Sequence, residues 1–123
     1  MITEPFEKLR KFSLFEDFSH IQGAYIKQNG KQLEVLPEQV LLKLGAEHHN
    51  ILLLLEGELK LTASDGMVGI ISADSHSSAH PIAQLRPSRY QVVTNSKVKI
   101  LVLAAEVLDK ANALMKANGE VKN

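Results

Sequence analysis

The chain has no cysteine among its 123 residues. That excludes a disulfide framework, a thiol nucleophile and every cysteine-ligated metal site, and it fits a reducing compartment. It has no net charge: 14 Lys and Arg balance 14 Asp and Glu. The basic excess that supplies most nucleic-acid affinity is therefore missing. No apolar run approaches the ~18 residues of a membrane-spanning helix. The N-terminus, MITEPFEKLRKF, carries acids and lacks the apolar core of a signal peptide, so the expected location is the cytoplasm. Tryptophan is absent and aromatics are scarce, with four Phe and two Tyr. All four Phe (Phe6, Phe12, Phe15 and Phe18) fall in the first eighteen residues. A chain of this length makes one domain, 1–123, and buries enough surface to fold without a metal or a cross-link.

What is present centres on Ile51–Leu61, ILLLLEGELKL. Five consecutive aliphatics, Ile51 to Leu55, predict a strand covered on both faces, since a half-exposed strand would alternate. Beyond Gly57 the pattern does alternate, with Leu59, Leu61 and Ala63 on one side and Lys60 and Thr62 on the other. One element thus changes environment at Gly57, where a glycine within a strand marks a bulge or a close backbone approach. Ser64-Asp65-Gly66 is hairpin chemistry, and Met67–Ala73 returns as the second strand.

Around this hairpin the residues predict a helical N-terminal part, 4–28. Glu4 to about Ile21 is its clearer portion, with Phe6, Leu9, Phe12 and Leu14/Phe15 at helical spacing and Ser13 or Asp17 as places where it breaks. Thr3 is a candidate cap. Ala24–Gln28 reads as a short helix or an edge. The barrel segment spans 33–103, including a short strand at Val40–Leu44, a small polar stretch at Ser72–Ala79 read as the least structured part, and strands Tyr90–Thr94 and Val98–Leu103. Val98, Ile100 and Val102 share a face. A C-terminal helix, 105–117, stops near Gly119. The fold class is mainly β: an antiparallel jelly-roll barrel, or double-stranded β-helix, flanked by N- and C-terminal α-helices.

This order resembles the cyclic-nucleotide-binding-like domain of the catabolite-activator class. The residues that carry the resemblance are Gly45, Ile51–Leu61 with Gly57 at the family's strand glycine, the Ser64-Asp65-Gly66 turn, and Val98–Leu103 (VKILVL). The resemblance implies a bacterial-type signalling or regulatory domain. In the family, a Gly-Glu pair holds the ribose and an arginine holds the cyclic phosphate. This chain departs there. Between Met67 and Val92 there is no Gly-Glu and no acid but Asp74. Counting back from VKILVL puts Ser88 at the arginine's place, with Arg89 one step along and Arg86 as the other candidate. Ile82-Ala83-Gln84 takes the place of the glycine and the acid. Charge-assisted contacts of this kind are worth ~1.5–3 kcal/mol each, so losing both weakens binding by roughly two to four powers of ten.

The expectation is a non-enzymatic regulatory or sensor module, unable to bind cAMP or cGMP in the usual way. It would act through an unidentified ligand, a small anion or a cyclic nucleotide held in another way, or through a protein partner, at Gln84, Arg86, Ser88, Arg89 and Tyr90, with no catalytic residue, no metal and no cofactor. The resemblance further implies an output domain elsewhere in a longer signalling protein, and a homodimer formed through the C-terminal helix. Nucleic acid and membrane are not expected partners.

Two other readings remain open. A cupin-type metal-dependent enzyme is suggested by His48-His49 followed by Glu56-Gly57, but an adjacent pair points to opposite faces of a strand and no histidine follows His80. A pure dimerisation or scaffold domain predicts a filled interior. Ser75, Ser77 and Ser78 near His76 and His80 lack a nucleophile elbow. Glu56 and Glu58 read as solvated hairpin charges.

Overall fold

The computed structural model describes the backbone of residues 1–47, 49–82 and 88–122, and side chains as far as residue 114. Its elements are α1 (Phe6–Leu9), α2 (His20–Asn29), β1 (Lys31–Val35), β2 (Val40–Leu42), β3 (Asn50–Glu56), β4 (Glu58–Ala63), β5 (Val68–Ser72), a 3-10 turn (His76–Ala79), β6 (Tyr90–Thr94), β7 (Val98–Ala104) and α3 (Ala105–Lys122). All described strand pairs are antiparallel. They form a three-stranded sheet in the order β1-β7-β3 and a four-stranded sheet in the order β2-β6-β4-β5. The fold is a mainly β jelly roll with helices at both ends.

The aliphatic run acquires its meaning from the three-stranded sheet. Leu52, Leu53, Leu54 and Leu55 are all buried. Leu53 and Leu55 pack beneath the helices with Ile2, Phe12, Phe15, Leu101 and Leu103. Leu52 and Leu54 face the other way, into the space between the sheets, with Leu59, Val92, Val98 and Ile100. Strand β7 repeats the division, with Leu101 and Leu103 on the helix side and Val98 and Ile100 between the sheets. Each fully buried leucine contributes roughly 1.5–3 kcal/mol.

Gly57 is where the chain leaves one sheet for the other. Its φ is +94°, and a Cβ there would lie 2.5 Å from the Lys97 carbonyl oxygen and 2.7 Å from Val98 Cγ1. Only glycine fits both the torsion and the approach. The environment change read from the sequence is thus a change of sheet. The next turn is built as expected: Asp65 Oδ1 accepts from Met67 N–H at 3.0 Å, and Gly66 takes φ +89°.

The N-terminal segment is interrupted more than a helix over Glu4–Ile21 with one break at Ser13 or Asp17 would be. Helix α1 ends at Leu9 and α2 begins at His20. Between them the chain rolls through successive i to i+3 turns, in which Phe12 N–H donates to Leu9 O, Phe15 N–H to Phe12 O and Phe18 N–H to Phe15 O. The apolar positions Phe6, Leu9, Phe12, Phe15 and Phe18 repeat every third residue. A 3.6-residue helix would carry such a series steadily around its axis, whereas three-residue turns keep it on one side. Phe12, Phe15 and Phe18 are buried as a result. Thr3 does not cap α1. Its N–H and that of Glu4 donate to Gln32 Oε1, and Pro5 stands at the N-cap. Residues 24–28 lie within α2. Helix α3 continues through Gly119 to Lys122 rather than stopping there. Ser72–Ala79 holds a 3-10 turn, with Ser78 buried and its hydroxyl donating to Ala73 O and Ser75 O.

Candidate functional site

The segment leading to β6 is rooted at two points over the inter-sheet core. At one root Ile82 is buried and its N–H donates to Leu52 O on β3 at 2.8 Å. At the other, Ser88 N–H donates to Ala46 O at 2.9 Å and Ser88 O accepts from Gly45 N–H at 2.7 Å. The loop after β2 therefore fixes where Ser88 sits. Gln84 and Arg86, both expected in the site, lie outside the described residues. Ser88, Arg89 and Tyr90 are placed.

Ser88 is buried, and its hydroxyl closes on its own strand: Oγ donates to Tyr90 O at 2.8 Å and accepts from Tyr90 N–H at 3.3 Å. The residue expected at the arginine's position is thus uncharged and already hydrogen-bonded. Arg89 is exposed. One step along an extended chain turns a side chain to the opposite face, so Arg89 does not inherit Ser88's direction. Tyr90 opens β6 opposite Ala63 and is 38% exposed. Below these roots the space between the sheets is occupied by Leu42, Leu52, Leu54, Leu59, Ile82 and Val92.

A second region was not read from the sequence. An open cleft of about 480 Å³ lies at the sheet-switch corner, with Glu56, Glu58, Ser72, Asp74 and Ser96 in its walls. Glu56 pairs with Lys99 at 3.2 Å, and Lys99 also reaches Glu4 at 3.4 Å. Glu58 Oε1 accepts from Asn95 Nδ2. Lys11 Nζ donates to Leu55 O at 3.2 Å and Ala73 O at 3.5 Å. Burial lowers the Lys11 pKa, while Asp74 and Glu56 pull it back up. The cleft is lined by carboxylates, which is the wrong sign for an anionic ligand.

The remaining candidates resolve into local contacts. Ser13 Oγ lies 3.1 Å from His80 Nδ1 and also donates to Ala79 O. Among the described residues no carboxylate pairs with His80, so the contact lacks the orienting acid of a hydrolytic triad. Ser75 Oγ donates to Ser72 O. His49 is exposed, His48 lies outside the described residues, and among the described residues no three His, Asp or Glu side chains are placed to hold a metal ion. The contact most clearly missed is Gln22. It is fully buried, its Oε1 accepts from Ser19 N–H at 2.7 Å, and its Nε2 donates to Ala111 O on α3 at 3.0 Å. The signal was there: Ser19-x-x-Gln22 is a capping box.

No family model matches the chain, and no curated protein matches it. Solved structures do. The sensor domain of the transcriptional regulator DNR from Pseudomonas aeruginosa superposes with a TM-score of 0.71 at 10% identity, covering 96% of this chain and 92% of that one. A cyclic nucleotide-binding-like protein from Brucella abortus gives 0.66 at 14% identity, covering 88% and 97%. The chain has the cyclic-nucleotide-binding-like fold. The regulatory domain of Toxoplasma gondii PKA, crystallised with cAMP, also matches, with a TM-score of 0.68 at 15% identity. This chain is 90% covered there and spans 45% of that chain's length. The DNR match is a sensor domain and the PKA match a regulatory domain, and no described helix here is long and apolar enough to cross a membrane.

Proposed function

We propose that the chain is a non-enzymatic regulatory or sensor module that does not hold cAMP or cGMP in the usual way. It answers instead to another small anionic ligand, or to a protein partner, at the segment ending in Ser88, Arg89 and Tyr90. The observation that supports this most directly is Ser88. A buried hydroxyl engaged with Tyr90 stands where the resemblance requires a phosphate-binding guanidinium. A neutral hydroxyl can offer one hydrogen bond but no charge, and here its proton is committed to a backbone carbonyl.

The output follows from the position of α3. Its first half packs on the helix-side core through Val107, Leu108 and Ala111. Ligand or partner binding shifts this helix only if it favours one helix position over another. The test is a thermal-unfolding titration with cAMP, cGMP, cyclic dinucleotides and divalent cations, on the wild type and Arg89→Ala. The expected result is no shift with cAMP or cGMP. A shift that grows with cAMP concentration, as binding linkage requires, and disappears in Arg89→Ala would overturn the reading. A cation-specific shift would overturn it in favour of a metal site.

A further inference from the structure

Strand β5 forms one edge of the four-stranded sheet. Its register with β4 decides which backbone groups are used. Ala63 N–H donates to Met67 O and Ala73 N–H donates to Gly57 O. Antiparallel pairs alternate between bonded and non-bonded, so Gly69 and Ile71 also turn their polar groups toward β4. Val68 and Ile70 turn theirs to the side where, among the described residues, no further strand pairs. The open run is bounded at both ends: Gly66 N–H donates to Ala63 O, and Ser72 O accepts from Ser75 N–H.

The side chains on this edge are equally unguarded. Val68 is 55% exposed and Ile70 51%. Neither a charge nor a proline interrupts Val68-Gly69-Ile70-Ile71-Ser72. Sheet edges are ordinarily blunted by charge, proline or a covering element. Strand β1, an edge of the other sheet, follows that rule, with Lys31 and Glu34 on it and Glu34 paired to Lys97 at 3.1 Å.

We propose that β5 is a self-association edge, and that its occupant is β5 of a second copy of this chain, paired antiparallel about a two-fold axis at Gly69. In that register Val68 of one copy opposes Ile70 of the other, and each exchanges the backbone bonds that are otherwise left open. The same pairing stacks exposed Val68 on exposed Ile70 across the strands, an apolar β-branched pair. Gly69 meets itself at the axis, in a non-bonded pair where the backbones approach closest, and a Cβ there has nothing within 4 Å in the single chain. No like charges fall opposite one another, since Asp65 faces Ala73 and Asp74 faces Ser64. A one-residue slip of the register would align Val68 with Gly69 and put the open groups of one copy against the committed groups of the other. Moving the axis to Ile70 or to Val68 would set an open residue against Ser72, whose carbonyl accepts from Ser75 N–H, or against Gly66, whose N–H donates to Ala63 O, so the axis at Gly69 is the one that uses both open residues of each copy. The result is a closed dimer with a sheet continuous across two chains.

The test uses the intact chain. Sedimentation equilibrium is expected to show a dimer at micromolar concentration. The double variant Val68→Lys/Ile70→Lys, at two exposed positions that oppose each other across the axis, is expected to weaken it by about tenfold or more through directly opposed like charges. The variant's melting temperature in the dilute, monomeric regime should stay unchanged, which separates lost pairing from lost folding. Since the chain has no cysteine, Gly69→Cys introduces a single thiol. A non-bonded pair brings Cα atoms to ~4.5 Å, within disulfide reach, so mild oxidation should give a cross-linked dimer. Lys31→Cys on the β1 edge should stay uncross-linked under the same conditions. A monomeric wild type together with an uncross-linked Gly69→Cys overturns the proposal. So does a dimer that survives both lysine substitutions, as one formed through α3 would.

Discussion

The two sheets are built from similar residues and treated differently. The three-stranded sheet is covered twice, by the helices on one face and by the second sheet on the other. The four-stranded sheet is covered once. Its inner face gives Leu59, Val92 and Ile71 to the shared core, while its outer face leaves Val40, Val68 and Ile70 about half exposed. The same kind of side chain therefore has a very different value in the two places. Identity alone does not set a residue's contribution; the number of layers around it does.

The largest test of that contrast is Leu53→Ala. Leu53 is fully buried on the twice-covered sheet, and its truncation is expected to cost about 2–5 kcal/mol, read as a lower urea midpoint at unchanged slope. Gly57→Ala probes the corner where the chain passes between the sheets. A side chain at φ +94° that meets the Lys97 carbonyl at 2.5 Å is expected to cost about 1–3 kcal/mol, and Gly66→Ala, where nothing lies within 4 Å of the added Cβ, should cost less. The smallest effect belongs to the once-covered face. Ile70→Thr is expected to stay within about 0.5 kcal/mol in the monomer. A loss there comparable to Leu53→Ala would mean that the outer face is covered within the single chain, and the comparison of the sheets would fail.

The sequence made the twice-covered sheet legible because burial on two faces leaves an unmistakable trace: an aliphatic run with no alternation, closed by a glycine. The Asp65-Gly66 turn and the shared face of Val98 and Ile100 were readable for the same reason, since each is a local pattern with one physical cause. The N-terminal segment was harder. Period three and period 3.6 agree over the first few residues, and only the full series from Phe6 to Phe18 separates them. The candidate site was least legible. Ser88's hydroxyl closes locally on Tyr90, but where Ser88 sits is set by backbone bonds to Gly45 and Ala46, a contact between segments more than forty residues apart that no spacing rule contains. Of the five residues expected in the site, the structure places Ser88, Arg89 and Tyr90.

Gln22 joins parts of the chain that the sequence separates by 89 positions. Its amide grips the Ala111 carbonyl partway along α3, while its other end caps α2 through Ser19. Mechanically, α3 is then not a free lever hinged at Ala105. A torque on its far end is handed at Ala111 to α2, and through Ser19 to the roll of phenylalanines that precedes it. A displacement of α3 at Ala111 therefore either breaks this hydrogen bond or draws α2 along with it.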